Sequence, residues 1–181
     1  MCVFSSLFSV KTNSSLTMLH KNKSLFLYLM AALFFAVSCT QTEDSPQTRQ
    51  TESRVLDFVT TVSFGEAGSE HVSTIRAALA DDDASRSEGL MDVHNLPSDA
   101  GMLFIFDGEE PRSFWMANTP LSLDIIFANS EFEIVRIHRN TPPYSHESIQ
   151  SELPAKYVVE VNAGYTMQHD IREGMFIILE D

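Results

Sequence analysis

From Arg54 onward the chain reads as a series of short apolar–polar alternations broken by turn residues, the period of strands with one or both faces covered. Arg54–Phe64 carries Val55, Leu56, Phe58, Val59, Val62 and Phe64; Gly65–Ser69 has turn composition, and the β-rich His71–Ala80 follows. Two such runs around a glycine-containing turn predict a hairpin. Met102–Phe106 is apolar at every position, the pattern of a strand buried on both sides. Leu121–Ala128 places Leu121, Leu123, Ile125 and Phe127 on one face and Ser122, Asp124 and Ile126 on the other. Asn129-Ser130 predicts a tight turn into Phe132–Arg139. In Lys156–Ala163, Tyr157, Val159 and Val161 share the core face, while Val158, Glu160 and Asn162 point the other way; Phe176–Leu179 is a final strand.

Between these runs the helical signals are short. Asp81-Asp82-Asp83 precedes ASRSEGLMDVHNL, and acidic residues there favour the positive end of a helix that Asn95 and Pro97 stop. Gly89 within it suggests close approach of another backbone, and Gly164–Ile171 suggests a second helical turn. Asp107–Pro111 reads as a turn leading to a separate segment, Ser113–Ala117. Residues 140–155, with Pro142, Pro143 and Pro154, read as a long, mobile, lid-like loop. The expected class is mainly β (α+β): a compact antiparallel β-barrel or sandwich of seven to eight short strands with two short helices.

The first part of the chain changes the picture of where this domain sits. After Met18, an alternative start, come Lys21 and Lys23, a 13-residue apolar run from Leu25 to Val37, and the small-residue ending Ala36-Val37-Ser38-Cys39. That order predicts a signal peptide over residues 1–38, and the run is shorter than the roughly 20 residues that span a bilayer as helix. Ala-Val-Ser-Cys resembles a bacterial lipobox, with alanine where leucine is usual, so Cys39 is the expected lipidation site. Residues 39–53 are polar and read as a flexible tether, leaving 54–181 as one β-rich domain. The expected location is the cell envelope, facing the periplasm or exterior, with the outer membrane favoured. The anchor on Cys39 is then the contact with the membrane.

Charge and cysteine content narrow the partners. The chain carries 25 acidic and 12 basic residues, and three of the basic ones precede Cys39, so the part from Cys39 onward has a net charge of −16. That sign argues against nucleic acid and anionic lipid surfaces. With Cys39 the only cysteine after the leader, neither an internal disulfide nor a thiolate metal site is available to the mature chain. The histidines show no H-x-H or H-E-x-x-H spacing, and the sequence has no G-x-S-x-G, P-loop or dinucleotide motif. No metal, cofactor or nucleophile is expected.

The polar residues that need explaining are Arg86, Trp115, Asn118, Asp124, Glu160 and Asn162. A carboxylate between Leu123 and Ile125 is costly to bury unless paired, and Arg86 is the expected partner of Asp124 or of Glu160, fastening the helix to the sheet. If these groups converge in a cleft instead, Arg86 binds an anion and Asp124 serves as acid or base. Trp115, flanked by Phe114 and Met116, fits a core position or a stacking platform for a sugar or peptide. Asn118 and Thr119 are expected to fix a turn through side-chain bonds.

Arg86-x-x-Gly89-Leu90-Met91, Gly101-Met102-Leu103-Phe104-Ile105-Phe106, Phe114-Trp115-Met116-x-Asn118-Thr119, Leu123-Asp124-Ile125-Ile126-Phe127 and Glu160-x-x-Ala163-Gly164 together resemble the bacterial and archaeal "domain of unknown function 192" family, also called uncharacterised protein family 0127. The resemblance spans roughly residues 55–179 and departs at His94 and Met175-Phe176. It implies a small domain, often secreted or lipid-anchored, and no established activity. The resulting expectation is an envelope-anchored accessory domain without catalysis, presenting a cleft near Trp115, Asn118 and Asp124 to a small polar ligand, glycan or envelope protein. The alternative is a hydrolase or lyase of envelope glycan with Asp124 and Glu160 as paired carboxylates.

Overall fold

The computed structural model describes residues 53–180; the predicted signal peptide, Cys39 and nearly all of the predicted tether lie outside that range. Seven strands follow in order: β1 (Thr60–Gly65), β2 (His71–Ala80), β3 (Ala100–Phe114), β4 (Leu123–Ala128), β5 (Ile134–Thr141), β6 (Ile149–Asn162) and β7 (Phe176–Glu180). Helix α1 (Asp83–Glu88) lies between β2 and β3, and α2 (Tyr165–Gln168) between β6 and β7. The strands form a single curled sheet, a half-barrel, in the order β5-β4-β6-β3-β2-β1-β7. At one end its two edges approach, where the Ile134 amide donates to the Met175 carbonyl at 2.7 Å and the Ile177 amide to the Phe132 carbonyl at 2.9 Å. A sandwich of two sheets is therefore not the arrangement.

The predicted hairpins are present and antiparallel, β1 with β2 and β4 with β5. One pairing is parallel, β2 with β3, from Arg76↔Ala100 to Ala80↔Phe104. A parallel neighbour requires a crossover rather than a tight turn, and α1 with the segment after it supplies that crossover. Asp82 caps α1, its carboxylate accepting from the amides of Ala84 and Ser85 at 2.8 and 3.0 Å, while the Ser85 hydroxyl completes the capping box. The helix stops at Gly89, whose φ of 48° ends it one turn earlier than the sequence suggests. A Cβ at Gly89 would meet the Phe104 ring at 3.4 Å, so the close neighbour is a side chain and not a backbone. Backbone proximity belongs to Gly101, where a Cβ would lie 2.5 Å from the Glu160 carbonyl oxygen.

Two further expectations are corrected. The Asp107–Pro111 segment is not a turn, because β3 runs through it, with register shifts on either side of Glu110–Pro111. Pro111 pairs opposite Pro154, so neither strand needs an N–H there, and the buried Ser151 hydroxyl takes the Arg112 amide at 2.8 Å. Residues 140–155 are correspondingly not one long loop: β5 extends to Thr141 and β6 begins at Ile149, leaving only 142–148 between them.

Both faces of the sheet are covered, as the uninterrupted apolar run of Met102–Phe106 requires. One face packs Val62, Phe64, Leu103, Ile126, Val159 and Val161 against Tyr165 and Ile171. The other packs Met102, Phe104, Leu123, Ile125, Phe127 and Val158 beneath Leu90, Val93 and Leu96 from the crossover. Each aliphatic or aromatic side chain so enclosed contributes about 1.5–3 kcal/mol relative to exposure. In the domain this burial takes the place of the cross-links that the cysteine content denies it.

Candidate functional site

Asp124 and Glu160 sit on adjacent strands, one residue out of step. Asp124 pairs in register with Val161, and Glu160 pairs with Ile125, so the two carboxylates project from opposite faces of the sheet. They cannot form the paired acid and base of a glycoside-cleaving site.

Asp124 is completely buried and completely satisfied. Its Oδ1 accepts from the amides of Asn140 (2.9 Å) and Gly164 (3.1 Å), and its Oδ2 from the amide (3.0 Å) and hydroxyl (2.7 Å) of Thr166. Gly164, at φ 86°, begins α2 without a side-chain cap of its own, so the Asp124 carboxylate does the capping from the neighbouring strand. The Thr166 hydroxyl in turn accepts from Arg139 Nε at 3.0 Å. The cation nearest this network is Arg139 acting through Thr166, and the expected Arg86 partnership is absent.

Arg86 is occupied elsewhere. Its Nη1 donates to the carbonyls of Asp81 (2.6 Å) and Ile105 (2.8 Å), and its Nη2 to Asp83 Oδ1 (2.7 Å). It fastens α1 to the middle of β3, which is the architectural role anticipated, with different acceptors. Asn162 is likewise structural, donating to the carbonyls of Leu96 and Pro97 at 3.0 and 3.1 Å and holding the crossover against β6. Asn118 fixes its turn by backbone rather than side chain: at φ 58° it occupies the left-handed region that asparagine tolerates, and its carbonyl accepts the Asp92 amide at 2.9 Å.

Glu160 has the opposite character from Asp124. It is 5 % exposed and no side-chain hydrogen bond reaches its carboxyl group among the described residues. Burial pushes its pKa up to about 8. It lies in a cleft of about 590 Å³, roofed by α1 and Gly89–Met91 on one side and by the 142–148 segment on the other. The walls are aromatic. Phe104, Phe106 and Phe114 line the cleft, and the Phe114 ring meets the other two edge to face at 5.2 and 6.3 Å. Trp115 also lines it and is 59 % exposed, which corrects the core reading and leaves the platform reading. Ser113 and Ser148, linked at 2.9 Å, add hydroxyls at the rim.

Of the six candidates, the structure brings Arg86, Trp115 and Glu160 together in this cleft and leaves Asn118, Asp124 and Asn162 outside it. The aromatic wall was missed. Its signal was the Phe104-x-Phe106 spacing on the Met102 face of β3, continued by Phe114 after the bulged stretch. Among the described residues there is no cluster of three or more His, Cys, Asp or Glu arranged to hold a metal ion, and no helix long and apolar enough to cross a membrane.

Fold and cleft together define a small half-barrel β domain with an aromatic-walled, acid-floored pocket on one face. The chain belongs to the DUF192 family (Uncharacterized ACR), whose model matches residues 65–179. No curated protein matches it. Among solved structures, it is similar to a Sinorhizobium meliloti 1021 protein whose name proposes a transcription regulator, with 32% identity, 70% of this chain and 98% of that one covered, and a TM-score of 0.65. It is also similar to a protein of unknown function from Novosphingobium aromaticivorans DSM 12444, with 28% identity, 68% and 86% covered, and a TM-score of 0.62.

Proposed function

We propose that this protein is a lipid-anchored component of the cell envelope whose β domain holds a small ligand in the cleft between α1 and β3, without chemistry of its own. The observation that carries the reading is the pairing of an exposed Trp115 at the mouth with an unpartnered, buried Glu160 inside. A large aromatic left in water beside a cavity of this size, and a carboxyl group largely withdrawn from water without a partner, both cost stability that an occupant would recover. The lipobox-like Ala36–Cys39 and the polar stretch 39–53 support an anchor with a tether, placing the domain off the membrane surface.

A role on DNA, of the kind the name of the Sinorhizobium protein suggests, is disfavoured by the net charge of −13. Catalysis by two carboxylates is disfavoured by their opposite faces. Isolation of the protein from membranes followed by native mass spectrometry tests the ligand reading. The expected result is a small-molecule adduct on the wild type that Trp115→Ala lacks. A wild type without an adduct, or an adduct retained equally by the variant, refutes it.

A further inference from the structure

The cleft carries more information than its size, because its charges are unbalanced. The charged and titratable groups facing it are Asp83, Arg86 and Glu88 from α1, His146 from the 142–148 segment, and Glu160 on β6. Across the sheet Glu160 is flanked in register by Met102 of β3 and Ile125 of β4, neither of which can donate a hydrogen bond. The permanent cation among the described residues lining the cleft, Arg86, has both of its terminal nitrogens committed to Asp81, Asp83 and Ile105. What remains open to an incoming molecule is a carboxyl group without a partner beside the Phe114 and Trp115 rings; Phe104 is buried, and the Phe106 ring already carries the Arg112 and Arg86 guanidinium groups at 3.9 and 5.4 Å from its centroid.

Resting on the cleft assignment above, we propose that the occupant is an organic ammonium ion, with Glu160 as its counter-ion and Phe114 and Trp115 as its aromatic surround. An ammonium group supplies the positive charge that Glu160 lacks. Alkylammonium surfaces are weakly hydrated and are attracted to ring faces, by about 0.5–2 kcal/mol per ring at exposed to desolvated sites. A neutral sugar would use the Trp115 face equally well but would leave the acid without a countercharge. An anion would meet the unpaired Glu160 carboxyl group, with the Arg86 guanidinium already paired to Asp83.

Because the ionised form of Glu160 is the one that pairs, binding releases a proton whenever the free protein holds that group protonated. With the free-state pKa near 8, affinity for a cation of fixed charge rises by nearly tenfold per pH unit below about pH 7, more gradually toward 8, and levels off above it. The Glu160→Gln variant serves as the reference, since it keeps Asp83, Arg86, Glu88 and His146 and removes only the Glu160 carboxyl group. Gln has the shape of the protonated acid, so the fold is retained.

The experiment uses the full chain in detergent and follows Trp115 emission and heat of binding. The probes are choline, cadaverine and 3,3-dimethyl-1-butanol, the last being the uncharged carbon isostere of choline. At least one cation is expected to bind at least tenfold more tightly than the alcohol, and Glu160→Gln is expected to abolish that preference and the steep pH dependence. The proposal is overturned if the alcohol binds as tightly as both cations, if Glu160→Gln keeps the cation preference, or if neither cation gives a saturable response below about 10 mM. Equal binding of alcohol and cations would remove the charge assignment while leaving the cleft itself in place; loss of the Trp115-dependent adduct would remove the cleft.

Discussion

Replacing Glu160 with glutamine is expected to stabilise the empty protein at alkaline pH, which is unusual for the loss of a buried, specifically placed residue. The acid has a pKa near 4.5 when unfolded and about 8 in the fold, and burial is the cause. Between those values the native state keeps a proton that the unfolded chain has lost, so stability falls as pH rises across the window. Below pH 4.5 the group contributes nothing to the difference, and above about 8 the loss is complete. At about 1.4 kcal/mol per pH unit the interval corresponds to about 5 kcal/mol, an upper bound because water entering the cleft solvates the carboxylate. Even half of that is a large share of the 5–15 kcal/mol that holds a typical domain folded.

Guanidinium unfolding followed by far-ultraviolet circular dichroism at pH 5, 7 and 9 measures it, with the salt screening the surface charges. Asp82, Asp99 and Glu109, whose pKa values are lowered chiefly by hydrogen bonds from Ser85, Arg76 and Ser130 respectively, lose their stabilisation only as pH falls toward and below the ordinary carboxylate range. Their window is separate and cancels between the two proteins. The variant and the wild type should converge at pH 5 and separate by several kcal/mol at pH 9, with the glutamine form the more stable. A difference below about 1 kcal/mol at pH 9, or one independent of pH, would show that the Glu160 carboxyl is solvated or partnered.

Asp124→Ala should behave in the reverse sense, losing about 4 kcal/mol at neutral pH because the amides of Asn140, Gly164 and Thr166 are left without an acceptor. Choline binding by the fraction that remains folded should be unchanged, and a variant of wild-type stability in a denaturant titration would contradict the capping role given to this residue. Cys39→Ala should move the protein from the membrane to the soluble fraction on ultracentrifugation, since a lipid chain is the only anchor invoked; unchanged partitioning would refute the lipoprotein assignment.

The strands were legible wherever alternation and turn chemistry agreed. The β1–β2 and β4–β5 hairpins, the two-sided burial of β3 and the division of β6 into a Val159 face and a Glu160 face all follow from period two and from turn residues. The β3–β6 arm was not legible, because Asp107–Pro111 has the composition of a turn and its pairing lies across the sheet at Ala155 and Pro154. A local reading weighs the glycine and proline; it cannot see a partner strand whose own proline makes the missing N–H harmless. The core reading of Trp115 failed for a simpler reason. Its neighbours are apolar, but β3 ends at Phe114, and the alternation that turns Phe114 toward Phe104 and Phe127 turns the next residue outward.

The two carboxylates show where sequence reasoning about charge stops. Both lie in apolar strands, both were expected to need a cation, and Arg86 was the obvious candidate for each. A carboxylate, however, is neutralised as well by converging N–H and O–H dipoles as by a guanidinium, and those donors are backbone groups that no residue pattern displays. Asp124 has four such donors and is thereby part of the frame. Glu160, one register step away on the opposite face, has none and faces an open cavity. Since burial penalises both residues alike, the presence or absence of donors separates them: the satisfied acid is held as a carboxylate by its four donors, whereas burial without donors raises the pKa of the other.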